Sequence, residues 1–150
     1  MDEVSTYVAA PPEKVYDLVV DIEQMGQWSP ETYRVGWLDG GTGVRVGARF
    51  KGWNRTKLGP FPARWSTTCT VERADRPNVF SFKVRQSGAR WTYRFEPDGD
   101  GCRVTETREK GPAPIGAKLF SLVAGRSRDE TVVAGMRTTL ERLKAAAERS

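Results

Sequence analysis

PIGAKLFSLVAGRSRDETVVAGMRTTLERLKAAAERS, residues 114–150, decides how the rest of the chain is read. Ile115, Leu119 and Leu122, then Val133, Met136, Leu140, Leu143 and Ala147, recur at helical spacing and predict one long amphipathic helix. Such a helix must bury its apolar stripe, and the chain before Gly111 reads mostly as strands. The expected partner is therefore a strongly curved antiparallel sheet. Laid out straight, a helix of this length would span ~54 Å, long for a domain of this size. Gly125 followed by Ser127-x-x-Glu130 has the form of a stop and a fresh capping box, so a break is expected near Gly125. Extrapolated across that point, the period puts Arg126 and Asp129 or Glu130 where the stripe should continue.

Upstream, Val4–Val8 is a short β run. Pro11 and Pro12 then open a helix with Glu13 in its first turn, and Val15, Leu18, Val19 and Ile22 carry its apolar face. Glu23–Trp28 reads as a second short helical turn, stopped by Ser29-Pro30. From there the period changes to two. Tyr33-Val35-Trp37, Phe50-Gly52-Asn54, Trp65-Thr67-Cys69-Val71, Phe80-Phe82-Val84, Trp91-Tyr93-Phe95 and Val104-Glu106-Arg108 alternate, with Gly-, Pro- and Asp-rich turns between them. Short connections argue for antiparallel neighbours in a meander. The Gly40-Gly41-x-Gly43 segment lacks the lysine and the following helix that a phosphate cradle needs, so it reads as a hairpin turn.

The 150 residues fit one domain spanning 1–150, and such a chain buries enough surface to fold without disulfides or metals. No apolar run reaches the length of a membrane span, and the N-terminus lacks an export signal, so a cytoplasmic protein with no membrane insertion is expected. Cys69 and Cys102 each lie in a strand-like run and read as reduced core thiols. There is no histidine. That removes histidine-based metal sites, triads and general bases; neither a metal nor a cofactor is expected. Lys and Arg number 24 against 19 Asp and Glu, for a net charge of +5. The positive charges are scattered, which argues against nucleic acid as a partner. Lys51, Arg55, Lys57, Arg64 and Arg73, with Trp53 among them, read as a solvated strand face.

One strand, two helices, six strands and a long helix is the element order of a known superfamily. Val4, Ala9, Pro11, Glu13, Val15 and Tyr16 at the start carry the resemblance, as do Asp21-Ile22 and Met25-Gly26-Gln27-Trp28-Ser29-Pro30-Glu31. Trp91, Tyr93, Phe95 and Pro97, with Gly101, Arg103, Val104, Thr105 and Glu106, complete it. The chain resembles the START-like or Bet v 1-like (SRPBCC) superfamily, and within it the bacterial polyketide cyclase/dehydrase-like proteins. The resemblance implies an α+β helix-grip fold: about seven strands curve around a long C-terminal helix, with two short helices between the first two strands. It implies function less narrowly, because enzymes, carriers and receptors share this scaffold.

If the aromatic phase of each strand faces the helix, Phe50, Trp65, Phe80, Phe82, Trp91, Tyr93 and Phe95 form an inner wall. The same phase carries Asn54, Glu106 and Arg108. A carboxylate is costly to bury unpaired, so Glu106 implies a watered cavity or a cationic partner, for which Arg126 is the candidate. Trp28 is read as a gate at one mouth or an anchor for the short helix, with Glu31 a solvated carboxylate beside it. Leu119, Leu122 and Val133 would close the cavity from the helix. The leading expectation is a binding protein, monomer or homodimer, for a hydrophobic or aromatic small molecule such as a lipid or polyketide. One alternative, implied by the resemblance, is a cyclase/aromatase or dehydratase using Glu106 as acid or base with Arg126 polarising an oxygen. A second is an RNA- or protein-interaction module on the basic outer sheet.

Overall fold

From Asp2 the chain forms β1 (Asp2–Val8), α1 (Pro12–Val20), a 3-10 turn (Ile22–Gln24) and α2 (Met25–Trp28). It continues with β2 (Thr32–Trp37), β3 (Arg49–Leu58), β4 (Phe61–Asp75), β5 (Val79–Val84), β6 (Arg90–Asp98), β7 (Gly101–Glu109) and α3 (Ile115–Glu148). This computed structural model describes residues 1–111 and 115–149; the side chains of residue 58 and of residues 115–128 fall outside the description. The seven strands make one antiparallel sheet in the order β1-β7-β6-β5-β4-β3-β2. Only β1 is out of sequence, because the helical excursion after it carries the chain to the far edge before the meander begins. The architecture is the α+β helix-grip fold with its curved seven-stranded sheet, two short helical segments and terminal helix.

Local chemistry explains the turns. Asp39 and Gly40 have φ of 56° and 69°, and the Gly41 amide donates to the Leu38 carbonyl at 2.9 Å. That is a type I′ turn, which Asp-Gly favours because both central residues need positive φ. Arg49 then pairs with Asp39 across the loop. Between β3 and β4 the connection is Gly59-Pro60, with Gly59 at φ 64°.

The core lies on the concave side. Val15, Tyr16 and Val19 bury the inner face of α1. The Tyr16 ring meets Phe95 edge-on at 5.6 Å. Each such side chain contributes about 1.5–3 kcal/mol of burial. The far end of α3 is tied to β1: Lys144 Nζ donates to the Tyr7 carbonyl at 2.8 Å, and Glu148 accepts from the Ala9 amide at 2.8 Å. Cys69 and Cys102 are free and buried. Among the described residues no helix is long and apolar enough to cross a membrane.

Two expectations about the helix are corrected. First, α3 runs as one helix over 34 residues, so the break near Gly125 does not form. An interior glycine costs about 1 kcal/mol relative to alanine, too little to stop a helix that packing holds downstream. Second, the stripe passes through Val132 rather than Val133: Val132, Met136, Thr139, Leu140, Leu143 and Ala147 are buried, while Val133 is half-buried. Both valines are compatible with a turn before Met136. The choice depends on a phase difference of one residue, which an extrapolation from Leu122 across ten residues cannot carry.

Candidate functional site

The curvature of the sheet leaves a cavity of about 560 Å³ beneath α3. Phe50, Asn54, Trp65, Phe82, Trp91 and Tyr93 line it from the sheet, and Trp28 from α2. Val132, Met136, Thr139 and Leu143 close it from α3, and Glu31, Arg108 and Lys110 also border it. Alternation explains the wall, since residues two apart on a strand share a face. Phe80 and Phe95 share that phase but do not line the cavity. Both are fully buried, Phe80 beside Phe82 and Phe95 beneath Tyr16. α1 covers that end of the sheet, so the wall is aromatic throughout but hollow over only part of its length.

Tyr93 and Glu106 are direct cross-strand partners on β6 and β7, which places their side chains side by side. The Tyr93 hydroxyl donates to Glu106 Oε2 at 2.5 Å. Glu106 is 2 % exposed, and its other oxygen, Oε1, has no hydrogen-bond partner among the described residues. Burial pushes the Glu106 carboxyl up to about 8, and the Tyr93 hydrogen bond offsets only part of that rise. Burial, then the adjacent Glu106, raises the Tyr93 phenol well above its ordinary value. At neutral pH the pair is therefore predominantly uncharged. Tyr93 donates to one carboxyl oxygen, and the other meets no partner among the described residues.

A second orphan lies on the same cavity. Trp28 is buried, and its indole Nε1 has no hydrogen-bond partner among the described residues. The remaining polar groups are largely satisfied. Thr32 Oγ1 donates to Asn54 Oδ1 at 2.6 Å, and Asn54 Nδ2 reaches Thr67 Oγ1 at 3.4 Å. Burial raises the Cys69 thiol to about 12, which leaves it an inert part of the wall.

Arg108 borders the cavity, but its charge is committed elsewhere. Its guanidinium contacts Asp2 at 2.6 Å and Asp129 at 2.9 Å, and Lys110 also pairs with Asp129. The charged insert in α3 is thus partly an anchor, tying the helix to β7 and the N-terminal strand. Arg126, Leu119 and Leu122 lie outside the described side chains. Val133 does not line the cavity; Val132 does. Thr139 and Gly135 were missed by the sequence reading, and counting back from Leu143 in steps of four would have found them. No group of three or more Cys, Asp or Glu suited to a metal occurs among the described residues.

This fold, with its largely apolar cavity under the terminal helix, defines a Bet v 1-like protein. The chain belongs to the family described as polyketide cyclase/dehydrase and lipid transport, whose profile matches residues 3–148. No curated protein matches it. Among solved structures it is similar to the di-domain ARO/CYC StfQ of the steffimycin biosynthetic pathway, with a TM-score of 0.76 and 15 % identity. That match covers 98 % of this chain and 50 % of StfQ, so the chain spans half the length of that relative. TTHA0849 from Thermus thermophilus matches at 24 % identity and a TM-score of 0.64, over 97 % of this chain and 98 % of its own. The Polyketide_cyc-like protein Cgl2372 from Corynebacterium glutamicum matches at 29 % identity and 0.54, over 98 % and 88 %.

Proposed function

We propose that the protein binds an uncharged, largely apolar small molecule that carries hydrogen-bond acceptor oxygens, as aromatic polyketides do. One observation carries the reading: two buried polar atoms on one largely apolar cavity, Trp28 Nε1 and Glu106 Oε1, have no partner among the described residues, and the raised Glu106 carboxyl makes that group a donor as well. Each unpaired buried group costs about 1–3 kcal/mol, and a ligand with carbonyl or ether oxygens in reach of both recovers that cost on binding. About 560 Å³ is ample for a three- or four-ring molecule. Charged ligands are disfavoured, because Arg108 and Lys110 at the border already have carboxylate partners. Tryptophan quenching by anthraquinone, against anthracene as a hydrocarbon of the same outline, tests this. Saturable binding of anthraquinone in preference to anthracene supports the reading; equal affinity, or no binding, contradicts it.

A second reading is favoured by the raised Glu106 carboxyl. A group titrating near 8 both holds and gives up its proton near neutral pH, as a general acid–base for enolisation or dehydration requires. Glu106→Gln separates the two. It keeps a donor where Oε1 stood, so a binding protein retains its ligand, whereas an enzyme loses turnover of an enolisable polyketone.

A further inference from the structure

Between Arg49 and Val71 the sequence has five basic residues, Arg49, Lys51, Arg55, Lys57 and Arg64, and no acidic one. The outer end of this hairpin leaves the sheet. Its β2 edge stops pairing at Thr32–Asn54, apart from one further bond from the Arg55 amide to the Glu31 carbonyl. On the other edge β5 pairs with β4 only from Cys69 onward. The pairs Thr56–Ala63, Lys57–Pro62 and Leu58–Phe61 therefore form an arm with no strand on either side.

The arm is sorted by face. Arg55, Lys57 and Arg64 share the outer face, all exposed and without an ion pair to any described residue. Phe61 and Ala63 lie on the opposite face, and Phe61, flanked by Pro60 and Pro62, is 72 % exposed. A two-stranded ribbon is marginal alone in water, so an arm of this length contributes little to the fold. We propose that it docks the protein on an anionic lipid bilayer, with Phe61 entering the interface and Arg55, Lys57 and Arg64 meeting acidic headgroups. An apolar tip on one face and cations on the other match the layering of such an interface. Single-stranded nucleic acid would instead need open aromatic faces among the cations. On the outer face the Trp53 ring is covered by Arg34 and Lys51, and Tyr33 by Arg55. The arm extends from Asn54 and Trp65, which line the cavity, so docking brings that end of the cavity to the lipid surface. The proposal stands whether or not the cavity takes the ligand proposed above.

The test is co-sedimentation with vesicles of phosphatidylcholine alone or mixed with phosphatidylglycerol. Binding is expected to the mixed vesicles only and to weaken with salt. Lys57→Ala and Arg64→Ala should each weaken it about fivefold. Phe61→Ser should weaken it about tenfold or more. Arg94→Ala and Arg137→Ala, each of which removes one charge elsewhere, should not weaken it. Melting curves matching the wild type establish that the arm variants are folded. Arm variants that bind like wild type overturn the proposal. So does equal affinity for both vesicle types, or salt-sensitive binding to single-stranded RNA or an acidic protein with none to vesicles.

Discussion

The Tyr93 hydroxyl lies 2.5 Å from Glu106 Oε2, while Oε1 of the same carboxyl is buried and has no partner among the described residues. The pair is a half-satisfied polar group on the wall of an apolar cavity, and its protonation state is built into the stability of the fold.

Stability should therefore fall with rising pH through an unusual window. The folded carboxyl titrates near 8, above its ordinary 4.5, so between these values the folded chain holds a proton that the unfolded chain has released. The contribution is fully present below about 4.5 and lost as pH rises through about 8, at roughly 1.4 kcal/mol per unit. Urea denaturation of wild type and Glu106→Gln at several pH values isolates this effect. The difference between them should shift in favour of the glutamine variant by a few kcal/mol from acid to alkaline conditions. A constant difference would refute it.

Tyr93→Phe leaves both oxygens of Glu106 without a donor among the described residues. The loss should cost about 1–3 kcal/mol in urea denaturation. It should also move the carboxyl titration, followed by carbon NMR, further upward, because the Tyr93 hydrogen bond is what holds it down. A downward move would show that the phenol acts otherwise.

Arg108 separates two carboxylates, Asp2 and Asp129, and its side chain is 11 % exposed. Arg108→Met should destabilise the fold by about 1–3 kcal/mol. The hydrogen bond from Lys110, then that from Arg108, holds the Asp129 carboxyl below its usual range. That depressed group stabilises the fold above its unfolded pKa, and the contribution is lost as pH falls. The variant should accordingly unfold with a shallower dependence on pH in acid. An unchanged acid limb would contradict the role of Arg108 in the clamp.

Val132→Phe should fill the cavity from α3. Because the added ring enters existing space, stability should change by less than about 1.5 kcal/mol while ligand affinity drops at least about tenfold. Val133→Phe, outside the lining, should leave affinity unchanged. Equal effects of the two would place the helix in the other phase.

Much of this was legible in the sequence. Strict alternation at Trp91-Tyr93-Phe95 and Val104-Glu106-Arg108 fixes which side chains face the helix, so the Tyr93–Glu106 adjacency follows once the two runs pair. Other features depend on three-dimensional cover. Phe80 and Phe95 have the same parity as Phe82 and Tyr93, and only the position of α1 decides which face the hollow. The partners of Arg108 are Asp2 and Asp129, 106 and 21 residues away in sequence. No periodicity encodes such a clamp. The continuity of α3 through Gly125 is likewise a balance in which packing outweighs a weak local stop signal.

The most direct test of the central claim is anthraquinone affinity against pH, for wild type, Glu106→Gln and Trp28→Phe. Wild type should bind at neutral pH and lose affinity as pH rises past about 8, when the Glu106 carboxyl gives up its proton. Glu106→Gln should bind without that loss. Trp28→Phe should be weaker than wild type at every pH below the transition. Wild-type affinity independent of pH and unchanged in Trp28→Phe would contradict the claim that these two donors hold the ligand.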